Sequence, residues 1–169
     1  MFTNSSTGLI HAINAGTITL TAISSGDTDY YSASTSQLIT IEKATPTLVI
    51  TSANTILVDG VLTATVSSSV PNPGTITYSV VNSTGIIIVV SSSGKVTGVQ
   101  AGASTLKATS AGTSNYYPVT VSQAMTINKA TPTLTITSPT GSTMIVNHSL
   151  TVTFTTSATL NRGGAKSYA

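Results

Sequence analysis

The sequence predicts an all-β chain built of tandem antiparallel β-sandwiches, one complete domain flanked by two partial ones. Three observations predict it. Apolar residues alternate with Thr and Ser at period two, the signal of a half-buried strand. Turn-forming stretches punctuate the alternation at short intervals. The phrase "KATPTLVITS" at 43–52 returns as "KATPTLTITS" at 129–138, so that Lys43 and Lys129 stand 86 positions apart.

Within the complete copy the elements follow in order. "PTLVITS" (46–52), "VLTATVSS" (61–68) and "TITYSVV" (75–81) alternate cleanly and read as strands. "GIIIVVS" (85–91) is apolar throughout and reads as a strand covered on both faces. "GKVTGV" (94–99), "STLKATS" (104–110) and "YPVTVSQAMTIN" (117–128) complete a set of seven. The turns between them are "VDG", "PNPG", "NSTG", "SSSG", "QAG" and "AGTSN". Seven short strands in so few residues, with no helical period, are the pattern of a sandwich. The expected core is Leu48, Ile50, Leu62, Ala64, Val66, Ile76, Tyr78, Val96, Val99, Leu106, Ala108, Val119, Val121 and Ile127.

The repeat extends well beyond the shared phrase. Residues 6–52 fall on 92–138 without a gap, about half the positions being identical. Tyr30 and Tyr31 meet Tyr116 and Tyr117, and Pro46 meets Pro132. "LVDGVLTATV" (57–66) then matches "IVNHSLTVTF" (145–154) at an offset of 88. Residues 1–43 thus read as the back part of one copy, 44–129 as a whole copy, and 130–169 as the front part of a third. "KATPTL" closes one copy and opens the next. Proline fixes its own φ and holds the preceding residue extended, so Lys43, Pro46, Lys129 and Pro132 mark the expected interdomain joints.

Composition excludes several functions. Charged residues are 6% of the chain, against about 25% in ordinary domains. The net charge of +2 comes from scattered residues, and nucleic-acid binding needs clustered Lys and Arg. With no Cys, disulfides and thiolate-bound zinc are ruled out. The longest apolar run, "IIIVV" at 86–90, is far short of the roughly 18 residues of a spanning helix. Aromatic residues at 5% are too few for the girdles of a membrane barrel. "MFTNSSTGLIHAINAG" has no basic start or long apolar stretch, so it does not read as a signal peptide.

The segment "SSGKVTGVQAG" (92–102), with "STLKATSAGTSNYY" (104–117) after it, resembles the signature of bacterial immunoglobulin-like repeats of group 2. These occur in invasin- and intimin-type adhesins and in phage structural proteins. The resemblance spans the whole copy and both partial ones. It departs at the bulky "IIIVV", and at Leu9 and His11, which replace Lys95 and Thr97. It implies immunoglobulin-like sandwiches, an extracellular place on a cell or virion surface, and a role as tandem spacers, some with binding tips.

No arrangement of residues builds an active site, so catalysis is not expected. A serine nucleophile needs a base within about 3 Å, and the two histidines, His11 and His148, fall in different copies. Asp27 and Asp29 in "SGDTDYY" have the oxygens to hold a hard cation. Their counterparts are Thr113 and Asn115, so the repeat does not maintain such a site, and neither metal nor cofactor is expected. In each Tyr pair one ring is expected to pack and the other to face outward, where Tyr30, Tyr31, Tyr116 or Tyr117 would stack on a sugar or protein. Asn4, Asn82 and Asn147 begin glycosylation triplets, which matter only in a glycosylating host.

The sequence therefore reads as a stalk or fibre subunit whose partners are neighbouring domains or identical subunits. The alternative is an adhesin-type module whose loops bind a glycan or receptor. Tyr168 aligns with Tyr78 and Met1 with Ile87, so the two partial copies together resemble one domain. They are expected either to belong to a longer array or to complete each other between chains.

Overall fold

The computed structural model describes residues 2–4, 8–82, 88–90, 92–138 and 143–157, and every regular element among them is a strand. In chain order these are β1 (Phe2–Asn4), β2 (Ile10–Ala12), β3 (Gly16–Ser24), β4 (Ala33–Ile41), β5 (Leu48–Ile50), β6 (Thr55–Leu57), β7 (Val61–Thr63) and β8 (Val66–Ser68). They continue with β9 (Ile76–Asn82), β10 (Ile88–Val90), β11 (Lys95–Gly98), β12 (Gly102–Ser110), β13 (Val119–Asn128), β14 (Leu134–Ser138) and β15 (Thr153–Thr156). Met1, Ile86, Ile87, most of the expected "NSTG" turn and Tyr168 lie outside the described residues.

The sandwich is formed by β5 to β13. One layer has the order β6-β13-β12-β9, with β12 paired antiparallel on both sides. The facing strands are β10-β11-β7 and β5-β8. Alternation places Ser104, Leu106, Ala108 and Ser110 of β12 inward, all buried. They meet Met125 and Ile127 from β13, Ile50 from β5, Ala64, and Val96 from β11. Burying side chains such as Leu106, Met125 and Ile127 contributes roughly 1.5–3 kcal/mol each. The two buried serines are satisfied, since Ser104 Oγ donates to the Val81 carbonyl and Ser110 Oγ to that of Pro73.

Four expectations are corrected. The stretch 61–68 is not one ladder but two, β7 on β11 and β8 on β5. Ala64 N donates to the Gly94 carbonyl at 2.8 Å and Thr51 N to that of Thr65 at 2.9 Å, so the strand changes neighbour there without breaking its alternation. A further short strand, β6, pairs parallel with β13, so the sheets are not wholly antiparallel. Val99 and Val119 are half-buried and stand outside the core cluster. Met125, absent from the expected core, is 1% exposed at its centre.

The structure repeats as the sequence does, down to the pairing register. Gly16 faces Ile41 in β3–β4 as Gly102 faces Ile127 in β12–β13. Phe2 faces Ala12 as Ile88 faces Gly98. Leu48 faces Ser68 as Leu134 faces Thr156. Side-chain bonds repeat too: Thr51 and Thr65 hydroxyls meet at 2.9 Å, and Thr137 and Thr153 at 3.1 Å. The turn with Asp59 at φ 63° and a Gly60 N to Leu57 O bond returns with Asn147 at φ 68° and a His148 N to Ile145 O bond. A local sequence that fixes the same strand ends, turns and cross-strand pairs fixes the same register.

Candidate functional site

Asp27, Asp29 and the four tyrosines singled out in the sequence fall on two copies of one loop. In Gly112–Tyr117, the Thr113 amide donates to the Tyr116 carbonyl at 2.9 Å. Thr113 Oγ1 accepts from the amides of Asn115 at 3.1 Å and Tyr116 at 3.2 Å, a side-chain turn of the kind Ser, Thr and Asp favour. Gly112 enters the loop at φ 72°, and a Cβ there would stand 2.6 Å from the Tyr116 carbonyl oxygen. Only glycine takes that backbone without strain.

This loop is held by residues from far upstream. Asn115 Oδ1 accepts from the Ala15 amide at 3.0 Å, and Asn115 Nδ2 donates to Asn14 Oδ1 at 2.9 Å. Lys43 Nζ donates to the Thr113 carbonyl at 2.8 Å. Ala44 forms a parallel bridge with Tyr116, its amide donating to Asn115 O and its carbonyl accepting from Tyr117 N. Pro46 is buried two residues before β5. The end of β4, the turn before β3 and the Gly112–Tyr117 loop therefore meet at one point, where "KATPTL" begins.

Gly26–Tyr31 has the same internal geometry. Gly26 has φ 74°, the Asp27 amide donates to the Tyr30 carbonyl at 2.9 Å, and Asp27 Oδ1 accepts from Asp29 and Tyr30 amides at 2.8 Å each. The Asp27 carboxylate oxygen thus does what Thr113 Oγ1 does. Asp29 occupies the place of Asn115 and is exposed. Tyr30 is 76% exposed and Tyr31 99%, so neither ring packs, whereas Tyr116 is half-buried and Tyr117 is exposed. The expected alternation of packed and outward rings holds for Tyr116 and Tyr117 and fails for Tyr30 and Tyr31, because no described layer covers that end of β3–β4.

At the second "KATPTL", Lys129 is exposed and Pro132 is half-buried. His11 is exposed and its ring is within 3.1 Å of the Ala12 carbonyl, while His148 sits in the turn after Ile145. Among the described residues, no group of three or more His, Asp or Glu side chains is placed to hold a metal ion. A shallow depression lined by Ala22, Ile23, Ser24, Ala33, Ser34 and Thr35 carries no titratable side chain. Asn14, Ala15 and Asn115 were not legible as a site. The signal available was the paired "NAG" and "QAG" turns, together with the Asp29-for-Asn115 exchange, which carry no catalytic signature.

Among the described residues every regular element is a strand, and β5 to β13 form a β-sandwich. No protein-family model and no curated protein matches the chain. Among solved structures it is similar to an intimin mutant of EHEC O157:H7, with a TM-score of 0.37 and 21% identity. That match covers 55% of this chain and 50% of the intimin chain, so the chain spans about half the length of its structural neighbour. Among the described residues no helix is long and apolar enough to cross a membrane.

Proposed function

We propose that this chain is a structural spacer or fibre subunit, made of tandem immunoglobulin-like units divided at about residues 43 and 129, on a cell or virion surface. One observation carries the reading: strand registers recur 86 residues apart, and a hydrogen-bonded joint between Asn14, Ala15, Lys43, Ala44 and Asn115 links successive repeats. A joint held by side chains as well as by one strand of backbone resists bending, which a spacer needs and a flexible linker lacks. The proposed work is mechanical, with no catalytic step and no cofactor.

The outer segments fit the same reading. On β14, Leu134 and Ile136 are 66% and 68% exposed, while their counterparts Leu48 and Ile50 are 6% and 7% exposed. On β3–β4, Ile18, Leu20, Ile39 and Ile41 are only half-buried, where Leu106, Met125 and Ile127 are closed off. Each outer hairpin therefore carries an apolar face of the kind that the opposite layer covers in the central sandwich. In an array each face is covered by the rest of its own unit, supplied by the same chain or by another copy.

Small-angle scattering on the 169-residue chain tests the reading. A compact globule of this length has a radius of gyration of about 15 Å. Units in line give a clearly larger value and a rod-like profile; a value near that of the globule overturns the reading. A second reading, loop-borne recognition of a glycan or receptor, is favoured by the 99% exposure of Tyr31. Saturable binding on a glycan array that Tyr31→Ala abolishes would support it.

A further inference from the structure

The two loops, each entered by one glycine, share one conformation, yet only Gly112–Tyr117 has its joint partners among the described residues. We propose that Gly26–Tyr31 is the receiving half of a second joint, and that it seats the Gln100–Ala101 turn and Lys129 of another copy of this chain. The proposal rests on the tandem reading above and names the residues that would join one chain to the next.

The correspondence is residue by residue. Asn14 and Ala15, which bind Asn115, are replaced 86 positions on by Gln100 and Ala101. Lys43, which binds the Thr113 carbonyl, is replaced by Lys129. On the receiving side Thr113 and Asn115 are replaced by Asp27 and Asp29. Gln100, Lys129, Asp27 and Asp29 are all exposed, and Ala101 is half-exposed.

The chemistry of the exchange is self-consistent. Asn115 accepts from a backbone amide with Oδ1 and donates with Nδ2. A carboxylate only accepts. Asp29 can take the Ala101 amide on one oxygen and the Gln100 side-chain NH2 on the other, once that amide is turned to donate. Asp27 Oδ1 is already engaged by the Asp29 and Tyr30 amides, which fixes the loop before any partner arrives. The ammonium of Lys129 then approaches the Asp27 carbonyl with two carboxylates beside it, where Lys43 meets a neutral threonine and asparagine. The receiving loop of the joint inside the chain is thus neutral, and that of the joint between chains carries two negative charges. Opposite charge gives the second joint a direction, head to tail, and a dependence on salt.

The test uses the 169-residue chain, which contains no Cys. Asn14→Cys with Asn115→Cys, treated with a short thiol cross-linker, reports the joint within the chain. Asp29→Cys with Gln100→Cys reports the joint between chains. The expected result is an intramolecular link from the first pair and a ladder of covalent oligomers from the second. In light scattering, Asp29→Lys weakens self-association at least about tenfold at low salt, and adding Lys129→Glu to the same chain restores it. An intramolecular link from the first pair with no ladder from the second overturns the proposal and leaves the array reading standing. Loss of both links overturns both. Oligomers that form equally well with Asp29→Lys also overturn the proposal, since some other face must then hold them.

Discussion

The side-chain amide of Asn115 accepts a hydrogen bond from the backbone of Ala15 at 3.0 Å, across 100 positions of sequence. The same amide reaches Asn14 at 2.9 Å. A part-buried amide with one bond in and one bond out fixes direction as well as distance, because its donor and acceptor ends are not interchangeable. The contact between the Asn14–Ala15 turn and the Gly112–Tyr117 loop is therefore set by a residue that belongs to the loop, while the strands on either side set the loop.

Replacing that amide should loosen the joint and spare the sandwich. Asn115→Ala removes two hydrogen bonds from a half-buried position, a loss of about 1 kcal/mol each at most in local stability. The chain should keep its strand spectrum and nearly its melting temperature. Residual dipolar couplings should show that the residues before Lys43 no longer share a fixed orientation with those after it. Couplings unchanged from the parent chain would show that Ala44 and Lys43 alone hold the joint.

Core truncation should distinguish equivalent positions. Leu106 is 0% exposed, and Leu106→Ala is expected to cost about 2–5 kcal/mol in urea titration. Leu20, its counterpart 86 residues earlier, is half-buried, and Leu20→Ala should cost well under half as much in dilute protein. If another copy covers that face, the cost at Leu20 rises with protein concentration, as any coupling of folding to assembly requires.

Glycine at the loop entrance is expected to be irreplaceable for a steric reason. Gly112→Ala puts a methyl 2.6 Å from the Tyr116 carbonyl at φ 72°, so the loop must open. A cost of more than about 1 kcal/mol follows from the backbone alone. Amide exchange at Thr113 and Tyr117 should accelerate by tenfold or more, since their hydrogen bonds close the loop and tie it to Ala44.

Calcium should leave the chain unchanged. Asp27 spends one carboxylate oxygen on the amides of Asp29 and Tyr30, and no group of three acidic or histidine side chains among the described residues is placed to fill a shell that takes six to eight oxygens. Calorimetry with millimolar calcium is expected to show no shift in melting temperature beyond the effect of ionic strength. An increase of several degrees that Asp29→Asn removes would make the loop a cation site.

Much of the sandwich was readable because period two and the repeat reinforce each other. β12 and β13 alternate without interruption, and the identical phrase at 43 and 129 dictates where each copy turns over. β6 was not readable: "TIL" is too short to alternate, and its parallel place on β13 is decided by the chain after β5, not by its own residues. The change of partner at Ala64 leaves no mark because both ladders use the same inward positions. Ser104 and Ser110, absent from the expected core, are buried on the inward face because nearby carbonyls of Val81 and Pro73 satisfy them, and that pairing exists only in the fold. Beside the Gly112–Tyr117 loop, Lys43 and Pro46 were marked by repetition, but Asn115 was not, since an asparagine in a polar loop has the same local signature whether or not it holds a distant turn.

The parallel pairing of β6 with β13 has a consequence under load. Thr126 N donates to the Asn54 carbonyl at 2.8 Å and Val58 N to that of Asn128 at 2.9 Å, bracketing the pair at both ends. Tension that enters near Ala44 and leaves near Lys129 draws these two strands past each other along their length. Their bonds then yield together in shear and not one at a time, so parting β6 from β13 has a higher barrier than peeling a hairpin.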